Sequence, residues 1–141
     1  MLLSDKTSSL YKACLKIVIA YCSKYLKLDF KPKFALCDFE AAMIKALNQT
    51  FPRLKVNGCL FHFTKSLFRR VQKMGLQMRF GNDKVIAQHI KMLMAMPFCK
   101  VEDVLEAFEQ LKEEAHEDLI PLFEWFETNY IIGEFEFLFI C

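Results

Sequence analysis

Glycine and proline are scarce, at four each in 141 residues. That leaves little material for long loops or linkers and excludes a low-complexity or disordered chain. Long apolar runs are also missing. Stretches such as Ile17-Val18-Ile19-Ala20-Tyr21-Cys22 stop far short of the 18 or so residues of a membrane span, so no membrane partner is expected. The start, Met1-Leu2-Leu3-Ser4-Asp5-Lys6, has no apolar stretch of the signal-peptide kind, and a reducing intracellular compartment is expected. The six cysteines, at 14, 22, 37, 59, 99 and 141, include no C-x-x-C pair. Neither a disulfide framework nor a four-ligand zinc site is announced. No internal repeat is present.

What is present is apolar: hydrophobic residues make up 54% of the chain, with 15 Phe. The length fits one domain with a real core. Formal net charge is only +2, but it is unevenly spread. Residues 1–100 hold 18 Lys/Arg against 5 Asp/Glu, and residues 101–141 hold 1 against 12. This polarity fits a basic face for a polyanion beside an acidic module that shields it or meets a protein partner; equally, it fits helical faces that neutralise each other.

Leu10, Cys14, Ile17, Val18, Tyr21 and Tyr25 recur at three- and four-residue spacing and predict an amphipathic helix over about 5–28. After Pro32, residues 33–38 are short, apolar and bounded like a buried strand. A helix is expected from about Phe39 to Thr50 with Asp38 as its N-cap and Glu40 in its first turn. Phe51-Pro52 ends it, and residues 55–61 read as a second strand interrupted by Asn57-Gly58. From 61 to 79 Phe63, Leu67, Phe68, Val71 and Met74 form one helical stripe, with Lys65, Arg69, Arg70 and Lys73 beside it. Asn82 is a fair N-cap for a helix from Asp83 to about Met96, which Pro97 stops. Val101, Val104, Leu105, Phe108, Leu111 and Ala115 mark an acidic amphipathic helix, and Pro121 fits the first turn of a last, aromatic one.

The expected class is α/β but predominantly helical, with too few strands for a stable sheet of their own. Three segments are expected: 1–80 holding both strands, a helical segment 81–133, and a divergent tail 134–141. That tail alternates like a strand and closes on exposed grease, as a truncated or altered end would.

The pattern Lys33 to Glu40 (KFALCDFE), Ala41-Ala42, Ala46, Phe51-Pro52 and Gly58-Cys59-Leu60-Phe61-His62-Phe63, followed by Lys65, Leu67 and Arg70-Val71-Gln72, resembles the core of Mutator-like (MULE) transposases. Phe126-Glu127-Thr128-Asn129-Tyr130-Ile131 is similar to that family's late aromatic turn, so the resemblance runs from about Leu2 to Gly133. It implies a partial RNase H-like core of two strands with an inserted helical region. It also implies metal-dependent DNA cleavage and strand transfer in DNA transposition, with Mg2+ or Mn2+ as cofactor, DNA as partner and the nucleus as location. By the resemblance Asp38 is the second acid of the Asp-Asp-Glu set, a metal ligand together with acids outside this chain, and Cys59 and His62 are the family's C-x-x-H pair. The first Asp and the Glu are expected outside the sequence.

One acid of three cannot hold two metals, so the chain is expected to be inactive alone. Lys65, Arg69, Arg70 and Lys73 are the candidate DNA phosphate contacts, against the plainer reading of a solvated helix face. For Cys59 and His62, buried packing near the site is preferred to zinc, because two ligands leave a tetrahedral site half empty. His89 and His116 read as surface residues, and Trp125, Phe126 and Tyr130 as core. The rival function is a non-catalytic regulatory module that binds DNA, or binds a protein through the acidic helices 101–130.

Overall fold

The structure is a computed structural model and describes residues 6–132. Its elements run α1 (Ser8–Tyr25), β1 (Phe34–Cys37), α2 (Ala41–Thr50), β2 (Lys55–Gly58), α3 (Leu60–Lys73), α4 (Gln77–Asn82), α5 (Lys84–Ala95), α6 (Val104–Glu113) and α7 (Ile120–Phe126). No helix among them is long and apolar enough to cross a membrane. The chain divides into two compact units at Gly58/Cys59, and each is described by itself. The alternating tail expected at 134–141 lies outside the described residues.

In the first unit β1 and β2 pair in parallel, Phe34 opposite Lys55 through Cys37 opposite Gly58. Parallel neighbours need a crossover, and α2 supplies it. Among the described residues this ladder is the whole sheet. β2 ends at Gly58, short of residue 61, because Cys59 already takes the N-cap position of α3. The expectation of a buried first strand is corrected: Phe34 and Leu36 are 63% and 65% exposed, one face of β1 being uncovered. The long stripe of α1 is corrected likewise. Tyr11 is buried, while Ile17, Tyr21 and Tyr25 stand open, so α1 packs through its N-terminal half.

The start of α2 departs from the sequence reading too. Glu40, not Asp38, occupies the N-cap position, and Glu40 makes no side-chain cap bond. Its carboxylate is engaged by α1: Tyr11 Oη donates to Oε1 at 2.7 Å and Lys6 Nζ lies 3.3 Å from Oε2. The Tyr11 hydroxyl is consequently pushed up to about 12, mainly by that hydrogen bond to an anion, with burial adding to it.

The second unit is a helical body around a continuous aromatic core. Phe63, Leu67 and Val71 of α3 are buried as their spacing requires. The Phe63 ring meets Phe126 edge-on at 6.0 Å and Tyr130 at 5.0 Å, and Phe108 stacks on Phe126 at 5.7 Å. Desolvation raises the Tyr130 phenol above its ordinary value. The helix expected to run unbroken from 61 to 79 is interrupted: Gly75 adopts φ 73°, a left-handed conformation that favours glycine, and α4 starts after it. Asp83, rather than Asn82, caps α5, accepting from the Val85 and Ile86 amides.

His89 is not at the surface. It is buried, with Nδ1 2.9 Å from the Val85 carbonyl and Nε2 3.1 Å from that of Glu114. His116 is exposed, as expected. The charge polarity is partly neutralised within this unit, since Arg79 of α4 pairs with both Asp83 and Asp118, and Lys112 with Glu127 at 2.6 Å.

The Asp38 edge and the basic face of α3

Parallel strands place both carboxyl ends at one edge of the sheet, and Asp38 follows β1 there. Its side chain is exposed, and among the described residues no hydrogen bond or ion pair holds its carboxylate. What fixes the neighbouring backbone is apolar. The Phe39 ring lies on Gly58 so closely that a Cβ there would stand 2.8 Å from Cε1 and nearer still to Cζ. Gly58 is thus required by close approach, not by its backbone angles. The chain enters α2 at Ala41, so Asp38 lies two residues ahead of the N-cap position and does not cap the helix.

The metal expected from the resemblance does not fit the residues present. Two-metal chemistry needs several carboxylates converging on one point, and among the described residues no three His, Cys, Asp or Glu side chains do so. Asp38 contributes one ligand at most as the chain stands. Glu40, two residues on, is held by Tyr11 and Lys6.

Cys59 and His62 open the second unit. Cys59 occupies the N-cap position of α3 without a side-chain cap bond, its carbonyl accepting from the Phe63 amide at 3.0 Å. His62 is exposed, not packed inside, and its ring meets that of Phe61 edge-on at 5.4 Å. The preference for buried packing of this pair is corrected in that respect.

The four basic residues of α3 divide into two kinds. Lys65, Arg69 and Lys73 are exposed and four residues apart, so they follow one face over roughly 12 Å. Phe61, one turn earlier, is 63% exposed, and the Lys65 ammonium lies 5.3 Å from its ring centroid. Arg70 points elsewhere: its guanidinium carbon sits 5.6 Å from the Trp125 ring centroid, and its Nε is buried with no hydrogen bond. Trp125 is half-buried beside it, while Phe126 and Tyr130 are core. Sequence periodicity grouped the four cations; it gave no sign that a half-buried indole claims one of them. Nor did it reveal Phe39 against Gly58 or Tyr11 against Glu40, although an aromatic near a glycine in adjoining elements is the kind of pair that permits the first.

Residues 1–66 match the family model of the MULE transposase domain. The match takes in Asp38, Cys59, His62 and Lys65 but stops before Arg69, Arg70, Lys73 and the late aromatic block. No curated protein and no solved structure matches the chain.

Proposed function

Because residues 1–66 match the family model of the MULE transposase domain, we propose that this chain derives from a DNA transposase and acts at DNA without cutting it alone. The family role is metal-dependent DNA cleavage and strand transfer on an RNase H-like core. In that role Asp38 is one of the three acids, and the edge of the β1–β2 sheet is where its partners converge. The observation that carries the inactivity of the isolated chain is the lone exposed carboxylate: one acid cannot clamp two metals. Mg2+ or Mn2+ belongs to the complete constellation, where it would stabilise charge on the transferred phosphoryl group. The protein's own contribution in the isolated chain is to hold a DNA backbone.

Lys65, Arg69 and Lys73 supply that contact as a line of exposed charges, affinity without sequence readout. Arg70 contributes by steadying α3 against Trp125. Three phosphate contacts correspond to a slope of about −2.7 in log K against log salt on duplex DNA. Fluorescence anisotropy of a labelled duplex over a salt series measures it. We expect the slope to flatten to near zero in the Lys65→Ala/Arg69→Ala/Lys73→Ala variant; an unchanged slope would remove the ridge from the interface. Incubation of a labelled duplex with Mg2+ or Mn2+ tests the catalytic half. No nicking is expected, and nicking that disappears in Asp38→Ala would overturn the inactivity.

A regulatory, non-catalytic role is the second reading, and the exposed acids of α6 and of the turn before it favour it as a protein-facing surface. It predicts that Asp38→Ala leaves DNA retention intact in cells while substitution of Glu102, Glu106 and Glu109 releases a bound protein.

A further inference from the structure

A cavity of about 550 Å3 opens at the amino-terminal edge of the β1–β2 sheet, the edge opposite Asp38. The strands are four residues long, so roughly 13 Å of sheet separates the two edges. One wall is the segment entering β1, with Lys31 and Lys33; the other is the turn leaving α2, with Thr50, Phe51, Pro52 and Arg53. Three cations therefore face one concavity to which no carboxylate contributes. Asp29, just outside, pairs with Lys31 at 2.5 Å, and no ion pair to a described residue engages Lys33 or Arg53.

The walls are tied together in advance. The Lys55 amide donates to the Lys33 carbonyl at 3.0 Å and joins the two segments directly, while the Leu54 amide closes the turn on the Phe51 carbonyl at 3.0 Å. The Phe51 amide continues the α2 ladder to Leu47, and the Phe51 ring is braced edge-on by Phe30 at 5.9 Å. The backbone of both walls and the Phe51 ring are thus held before binding, so the ordering cost of association falls mainly on the exposed Lys and Arg side chains.

The lining combines a forked guanidinium and two ammonium groups with an aromatic and proline floor. Guanidinium recognises phosphate bidentately, lysine adds a point charge, and an aromatic face takes a nucleobase by stacking. The volume falls in the range of small-molecule sites. We propose that this cavity binds a phosphorylated nucleoside, with Arg53 and Lys33 on the phosphate and Phe51 against the base. That ligand has two sources of the same chemistry: a free nucleotide, or a 5′-terminal nucleotide of a DNA strand. The site shares no residue with the α3 ridge.

The test is an amide-shift titration by NMR of the whole chain with inorganic phosphate, adenosine monophosphate and a 5′-phosphorylated single-stranded oligonucleotide. We expect shifts centred on Lys33, Thr50 and Arg53, with adenosine monophosphate binding about ten-fold tighter than phosphate, the difference being one stacked base. Lys33→Ala/Arg53→Ala should weaken binding at least about ten-fold with the strand amides unmoved, and Phe51→Leu should abolish only the preference over phosphate. An oligonucleotide tighter than adenosine monophosphate at these amides assigns the site to DNA ends; equal or weaker binding assigns it to free nucleotide. Shifts scattered over lysines elsewhere, or unaltered in the double variant, overturn the proposal. The Lys65→Ala/Arg69→Ala/Lys73→Ala variant separates the two surfaces, because it should leave the adenosine monophosphate shifts intact whether or not the ridge binds DNA.

Discussion

Substituting Gly58 by Ala tests the contact that sets the geometry of the Asp38 edge. The new Cβ would lie 2.8 Å from Phe39 Cε1 and nearer to Cζ, where carbon atoms ordinarily approach to about 3.5–4.0 Å. The ring must therefore retreat by roughly an ångström. Overpacking of this kind costs about 1–3 kcal/mol. Gly58 has no positive φ, so Ala also gains about 0.4–1 kcal/mol by restricting the unfolded chain. The net expectation is a loss of about 1–2 kcal/mol in the first unit. Because Phe39 is half-buried, the ring has room to swing out, which places the value toward the lower end.

Native-state hydrogen exchange at the β1–β2 amides reads this effect, and Trp125 fluorescence in urea serves as a control on the second unit. The decisive arm is a double-mutant cycle. In a Phe39→Ala background the obstacle is gone, and Gly58→Ala should be neutral or stabilising. A loss of the same size in both backgrounds would show that Phe39 is not what Gly58 accommodates, and no loss in either would dismiss the close approach altogether.

Gly75→Ala should lose about 1–2 kcal/mol in urea unfolding, because its φ of 73° is left-handed, whereas Gly81→Ala, inside α4 with open space around its Cβ position, should gain about 0.5 kcal/mol. Phe126→Ala should lose about 3–5 kcal/mol by Trp125 fluorescence, since the ring is wholly buried against Phe63, Phe108 and Tyr130. At high pH the α1–α2 contact should weaken. The Tyr11 value rises on folding to about 12, so its contribution is complete below pH of about 10 and lost as pH climbs through 12; circular dichroism of Tyr11→Phe should lack this phase. At low pH the sign reverses. Asp83, held down chiefly by the Ile86 amide, and Asp118, held down chiefly by Arg79, contribute above their ordinary carboxylate range and lose that contribution as pH falls below it. Asp118→Asn should flatten the acid limb of a pH–stability profile, and an unaltered limb would remove the Arg79 pair from the account.

Element order was legible in the sequence because punctuation and period agreed. Phe51-Pro52 and Pro97 sit where helices stop, Pro32 lies in the link before β1, and the spacing of Phe63, Leu67 and Val71 named a face that is buried. Periodicity reports which residues share a face, however, not whether anything covers it. Ile17, Tyr21 and Tyr25 have the spacing of a core stripe and stand exposed. The break at Gly75 was hidden because one glycine within a helical pattern is tolerated as often as not. His89 misled for a different reason: its ring nitrogens lie within hydrogen-bond distance of main-chain carbonyls, partners that carry no side-chain signature. At the site, Asp38, Cys59 and His62 were singled out by resemblance alone, and the family match over residues 1–66 spans their positions without assigning them roles. The basic cavity was missed because Arg53 lies about twenty residues from Lys31 and Lys33 in sequence and meets them only through parallel pairing.

Five apolar side chains are buried in residues 6–58, among them Tyr11, Leu47 and Val56, against sixteen in residues 59–132. Such a division predicts two levels of amide protection within one chain. Residues 59–132 are expected to protect their amides longer, while residues 6–58 draw on one short ladder, α2 with Ala46 and Leu47, and half of one face of α1. Asp38 belongs to the latter. Hydrogen exchange should therefore find the amides around Asp38 less protected than those of α3, and a partner that covers Phe34 and Leu36 should slow that exchange.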